Sequence, residues 1–352
     1  MIVMVSVLFS TYVLALLYRL LKDKGRNIQA AYFLILALVI IIGVSAFRTN
    51  IGDTSTYAGS YSNIEGRTLA EELEGKGDAG FYLITYYLYQ ISSNPQFMIF
   101  VTAFITQLLY FKFFLQYRSY LDLQVYIYIA SGSYFVTMNG IRQSLAAGIV
   151  VLSTKYIIEN KFKKFLIITL IATMIHQSAI IMVPIYFISR MKPWSKKVFL
   201  MIGISVVGTL LFYELLPILE KLLEGTNYEH YIKVFQEGTE QGANILRLAV
   251  AAVPLILAYI KRNKIEDNYF NRVFINMTVV NFVFMLFSLQ TWIFARFTIY
   301  FSMFTFILLP SLIKNWNDKK ERKLLYIMLL LCYLIFFLKE QSVAERIRFY
   351  NF

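Results

Sequence analysis

The sequence predicts an all-α polytopic membrane protein, and three observations carry that prediction. Hydrophobic residues make up 58% of the 352 positions, and mean hydropathy is +0.59. Apolar runs of membrane-spanning length recur almost from one end to the other. The Lys and Arg behind the net charge of +13 gather in short segments between those runs, which is a topology signal and not a nucleic-acid footprint. No polar stretch is long enough for a separate soluble domain, so residues 1–352 read as one integral membrane domain.

The elements follow from hydropathy and punctuation. A first span over about 2–21 lacks a basic start and a small-residue cleavage pattern and reads as a retained helix. Lys22, Lys24 and Arg26 follow it, then a span over about 29–46. With basic loops inside, the N-terminus and the polar loop 47–78 lie outside. Gly80 to Ser93, Tyr-rich and closed by Asn94-Pro95, is short for a crossing and reads as a re-entrant or interfacial helix.

Spans over about 97–115 and 122–136 flank Lys112 and Arg118. A glycine-containing polar break at 137–144 precedes a helix over about 144–158 and the basic segment 159–164. Residues 165–188 break at His176-Gln177-Ser178 into two short crossings, which keeps the basic loop 190–197 inside. Spans over about 198–217, 244–260, 273–289, 296–313 and 324–338 complete about twelve crossings. A second acidic outer loop is expected over about 218–243, and an outer tail over the last dozen residues. On this topology the inner loops and their flanks hold 23 Lys and Arg against 7 Asp and Glu, and the outer side 11 against 14, as the positive-inside rule requires.

Cys332 is the only cysteine, so no intrachain disulfide or cysteine metal cluster can form. Neither metal-ligand spacing nor a phosphate-binding glycine loop occurs, which argues against nucleotide chemistry and leaves no cofactor expected.

The same topology places Arg48, Asn139, Arg142, Gln143, His176, Gln177 and Arg296 at outer helix ends. An arginine near hydrocarbon costs roughly 2.5–3.5 kcal/mol on insertion scales, so each needs a partner or a purpose. Taken singly, an arginine here is explained by snorkelling; three facing one cavity would grip a diphosphate. Arg48, Asp53, Thr54 and Tyr57 bring a cation, a carboxylate, a hydroxyl and an aromatic face suited to a sugar or phosphate, against the plainer reading of a solvated interfacial loop. His176 is explained either by interhelical hydrogen bonding or by acceptor activation. His230 reads as a surface residue.

Arg48-x3-Gly52-Asp53-Thr54-x2-Tyr57, Asn139-Gly140-x-Arg142-Gln143-Ser144-x-Ala146, His176-Gln177-Ser178-Ala179 and Arg296-x3-Tyr300-Phe301 resemble, in order and spacing, the EpsG family of Wzy-like bacterial exopolysaccharide and capsule polymerases. The resemblance spans about residues 40–310. It implies a GT-C-like architecture in the bacterial cytoplasmic membrane, both termini outside, and transfer of a growing glycan from undecaprenyl diphosphate onto a new lipid-linked repeat unit. It further implies that Arg48, Arg142 and Arg296 hold diphosphates, that Asp53 or His176 orients or deprotonates the acceptor, and that Thr54, Tyr57, Asn139, Gln143, Gln177 and Tyr300 contact substrate. Undecaprenyl-diphosphate-linked oligosaccharide, membrane lipid and a chain-length-regulating co-polymerase are the implied partners. Three rivals stand beside it: a single-transfer glycosyltransferase or ligase, a flippase for the same lipid, and an acyltransferase using His176. The flippase reading is disfavoured by inner span halves nearly devoid of buried charge.

Overall fold

The computed structural model describes residues 2–49, 51–223 and 242–350, without the side chains of 219, 222, 223 and 343–350. Among the described residues every regular element is helical. Six helices are long and apolar enough to cross a bilayer unaided: α1 (Ile2–Asp23), α2 (Asn27–Ala46), α6 (Pro95–Gln116), α16 (Tyr269–Phe287), α17 (Ile293–Lys314) and the first 24 residues of α18 (Lys319–Tyr350). This is a multi-pass membrane protein.

Fewer single helices cross than the dozen crossings expected, because polar breaks divide several of those segments. Segment 122–136 becomes α7 (Leu121–Ala130) and α8 (Ser133–Asn139), parted at Gly132; 144–158 becomes α9 (Ile141–Val151) and α10 (Thr154–Ile158). Residues 165–188 form α11 (Phe162–Ile175), a 3-10 turn (Gln177–Ile181) and α12 (Met182–Ser189), with the break at His176 where it was expected. The straight span over 198–217 is corrected: α13 (Lys196–Leu210) and α14 (Phe212–Leu223) meet at 90° across Leu211, and the pair counts as a seventh crossing only as one broken span. The expected tail after 338 instead continues as helix to Tyr350. Most of the outer loop 218–243, with His230, lies outside the described residues. The loop 47–78 holds two short helices, α3 (Thr54–Ser62) and α4 (Leu69–Leu73), and leads into α5 (Ala79–Ile91), the short aromatic helix.

The chain divides into two compact units. The first comprises residues 1–156, 161–183 and 309–352. In it α1 and α2 form an antiparallel hairpin, α7 packs on α1, α8 and α18, and a succession of contacts runs α2–α6–α9–α11–α5. All ten residues of α7, LDLQVYIYIA, are buried, the polar Asp122 and Gln124 among them. Its polar tips are matched: Tyr128 donates to Gln107 Oε1 at 2.9 Å, and Gln107 Nε2 donates to Thr137 at 3.0 Å. Leaving one such group unmade would cost about 1–3 kcal/mol. Asp122, fully buried at the start of α7, pairs with Arg19 of α1 at 3.0 Å and accepts from Tyr326 of α18. The expectation that inner span halves hold almost no buried charge is thereby corrected: Asp122, the first residue of the span expected over 122–136, is buried and paired with Arg19.

The second unit comprises residues 157–160 and 184–308. Here α16 packs between α13 and α15 (Ile245–Ile260) around Val198, Leu255 and Val279. Asn276 Nδ2 caps the end of α12 through Ser189 and Met191 carbonyls at 3.1 and 2.7 Å.

Candidate functional site

The site is built in the first unit, where the loop after α2 meets the breaks at Gly140 and His176. Gly52 adopts φ +55, a left-handed conformation that glycine takes at no steric cost, and a Cβ there would lie 2.4 Å from Asn139 Oδ1. The bare backbone lets Asn139 accept from the Asp53 N–H at 2.9 Å, tying the loop to the end of α8. Arg48 is 5% exposed and donates to the Ser45 carbonyl and, at 3.2 Å, to Thr54, itself buried. Burial pushes its guanidinium down to about 10, still charged at neutral pH.

Asp78, which ends the same loop, is the hub. One carboxylate oxygen, Oδ2, lies 2.9 Å from Nδ1 of His176 and 2.9 Å from an Arg142 guanidinium nitrogen. The other accepts from the Gln177 backbone N–H at 2.9 Å, and the Gln177 side chain donates to the Gly77 carbonyl at 3.0 Å. Burial pushes the Asp78 carboxyl up, but hydrogen bonds from His176 and Gln177 and the charges of His176 and Arg142 outweigh it and hold the group below its ordinary range. Arg142, at the start of α9, also donates to the Tyr82 hydroxyl at 3.3 Å and lies near the faces of Tyr57 and Tyr82.

On the Arg142 side of this hub lies an open cleft of about 110 Å³. Its aromatic wall is Tyr57, Tyr61, Phe81 and Tyr82; Asp53, Glu72 and Arg142 supply charge, and Thr56, Ser60 and Thr85 supply hydroxyls. Glu72, 2% exposed, is neutralised by Arg67 at 3.2 Å and by Lys76. The Asp53 carboxylate is solvent-exposed, with no hydrogen bond of its own among the described residues. Flat hydrophobic faces interleaved with hydroxyls, one open carboxylate and one guanidinium match the two faces of a pyranose next to an anionic group.

The structure thus brings Asp53, Tyr57 and Arg142 to one cleft; Asn139 is bonded to the Asp53 backbone, and His176 and Gln177 are joined to Arg142 through Asp78. Arg48 and Thr54 are joined beneath the loop and do not line the cleft, and Gln143 is buried and reaches Ser178 at 3.4 Å. Arg296 and Tyr300 belong to the second unit, where the Arg296 guanidinium lies 4.6 Å over Trp292 and Tyr300 is fully buried. Sequence reasoning passed over Asp78, Glu72 and Tyr82. Asp78 carried one usable signal, an acidic residue at the N-cap of an aromatic helix, but it sat in a run of acidic loop residues that concealed it. Among the described residues no trio of His, Cys, Asp or Glu could hold a metal ion.

A family model described as the EpsG family matches residues 30–352, nearly the whole chain. The chain matches no curated protein and no solved structure.

Proposed function

The chain belongs to the EpsG family, and from that membership and the cleft around Arg142 we propose that it is a polysaccharide polymerase. It transfers a growing glycan from undecaprenyl diphosphate onto a fresh lipid-linked repeat unit at the outer face of the bacterial cytoplasmic membrane. The observation that carries this reading is Arg142, fixed by Asp78 and Tyr82 at the edge of an aromatic, hydroxyl-lined cleft. With 32% of its side-chain surface open, Arg142 can still present its planar donors to phosphate oxygens and stabilise a departing diphosphate. Tyr57 and Tyr82 face the sugar, Asp53 receives its hydroxyl groups, and Asn139 and Gln177 hold the walls. Arg48, 5% exposed and bonded through Nε to Thr54 and through Nη1 to the Ser45 carbonyl, is assigned to shaping the loop and not to gripping the ligand.

The decisive experiment supplies the purified protein, in liposomes, with a defined polyprenyl-diphosphate-linked oligosaccharide and resolves the products by size. A ladder of lengths is expected. A single added unit would replace the polymerase reading with a one-step transferase. Lipid movement between leaflets without any new glycosidic bond would replace it with a flippase, a reading the buried Arg19–Asp122 pair no longer disfavours.

A further inference from the structure

We infer that Asp78 is a positioning residue that makes His176, and not Asp53, the base that receives the acceptor's proton; the inference rests on the polymerase reading above. The Asp78 carboxylate accepts three donors at 2.9 Å from two chain segments: His176 Nδ1 and the Gln177 backbone N–H from one, an Arg142 nitrogen from the other. An ionised carboxylate accepts only, so the proton on the shared line belongs to Nδ1. With that proton on Nδ1, the neutral form of the ring has its lone pair on Nε2, which has no partner among the described residues, on a side chain 27% exposed. The backbone agrees: His176 leaves α11 in extended conformation, and the Gln177 N–H bound to the same carboxylate fixes the main chain beside the ring. Asp53 is the opposite case. Only its backbone is held, the N–H by Asn139 and the carbonyl by the Tyr57 N–H, and nothing among the described residues fixes the direction of its carboxylate.

In the step this geometry supports, the acceptor hydroxyl oxygen bonds to the donor's anomeric carbon as its proton passes to His176 Nε2. The bond from that carbon to the phosphate oxygen breaks, and its electron pair leaves on undecaprenyl diphosphate beside Arg142. Asp78 stabilises the imidazolium that forms and remains ionised. This is the logic by which a carboxylate orients a histidine base in hydrolases, reached here on a membrane helix break.

The test reads the ring directly. The sequence has two histidines, so a His230→Gln variant of the full chain leaves His176 alone for ¹⁵N-histidine NMR in nanodiscs near neutral pH. The expected spectrum has Nδ1 protonated and Nε2 unprotonated. In the polymer assay Asp78→Asn, which keeps an oxygen for Arg142 but can turn an N–H toward the ring, is expected to lower kcat on the order of 10²- to 10⁴-fold. Because Asp78 acts through the ring, Asp78→Asn added to His176→Ala is expected to cost less than about twofold more. A wild-type ring with Nδ1 unprotonated, normal kcat in Asp78→Asn, or full additivity overturns this inference while a wild-type product ladder leaves the polymerase reading standing. A wild-type protein that makes no polymer overturns both. Should Asp78→Asn fail to fold, the wild-type tautomer still decides.

Discussion

Arg142 serves two demands that pull against each other. Its charge must be compensated where the helix begins, yet enough of it must stay open to meet an anion. Asp78 and Tyr82 meet the first demand from one side, and the cleft leaves the second open. Lysine keeps the charge but loses the planar fork and the contact with the Tyr57 and Tyr82 faces. Arg142→Lys is therefore expected to insert normally and to lose polymer output on the order of 10²-fold, read as product length and rate in the liposome assay. Asp78 also sets a pH dependence. Its folded carboxyl sits below the ordinary range, so the unfolded chain binds that proton more readily, and the stabilisation is fully present above about pH 4 and lost as pH falls through the folded value. Thermal unfolding between pH 7 and pH 3 should show a smaller acid loss for Asp78→Asn than for the wild type. At this scale the sequence made Arg142, His176 and Asn139 legible through motif spacing. It could not reveal that Asp78, 64 residues before Arg142 and 98 before His176, joins them, because a side-chain meeting between helix breaks leaves no local pattern.

The helices show why that meeting is possible. α5 lies against α11 with Gly80 at the crossing, where an added Cβ would come 2.9 Å from the Met174 backbone carbonyl. A backbone atom cannot step aside as a flexible side chain can, so the close approach depends on glycine. Since Asp78 and His176 flank this crossing, the spacing of the two helices sets the distance between carboxylate and ring. Gly80→Ala is expected to cost about 1–3 kcal/mol of stability and to lower activity by more than the stability loss explains, measured by thermal unfolding beside the polymer assay. The elements were partly readable: the polar break with Gly140 and the polar step at 176 mark breaks that occur, whereas the break at Gly132 fell inside a span read as continuous. The 90° bend at Leu211 was not, because the sequence there is apolar on both sides and no Gly or Pro stands at the corner. The full burial of α7 was likewise hidden, since Asp122 and Gln124 mark a polar face at the start of the span until Arg19, Tyr326 and the Tyr117 carbonyl are seen to receive them.

Across the whole molecule, the remaining question is which side of the membrane the cleft faces, and charge supplies the answer to be tested. α1 and α2 run antiparallel through a turn carrying Lys22, Lys24 and Arg26, and α2 delivers the loop with Arg48 and Asp53 some 20 residues, or about 30 Å, from that turn. The cleft and the basic turn therefore lie at opposite ends of one hairpin. If the basic turn is cytoplasmic, the cleft is outside, where lipid-linked repeat units carry their own activation and no nucleotide is needed. In a Cys332→Ser background, Glu65→Cys and Lys163→Cys place single thiols at exposed positions of the cleft loop and of the basic first turn of α11. Membrane-impermeant maleimide added to intact cells is expected to label the first and to reach the second only after lysis. The reverse pattern would put Arg142 and Asp78 on the cytoplasmic side and remove the basis for extracellular polymerisation, whatever the geometry of the cleft.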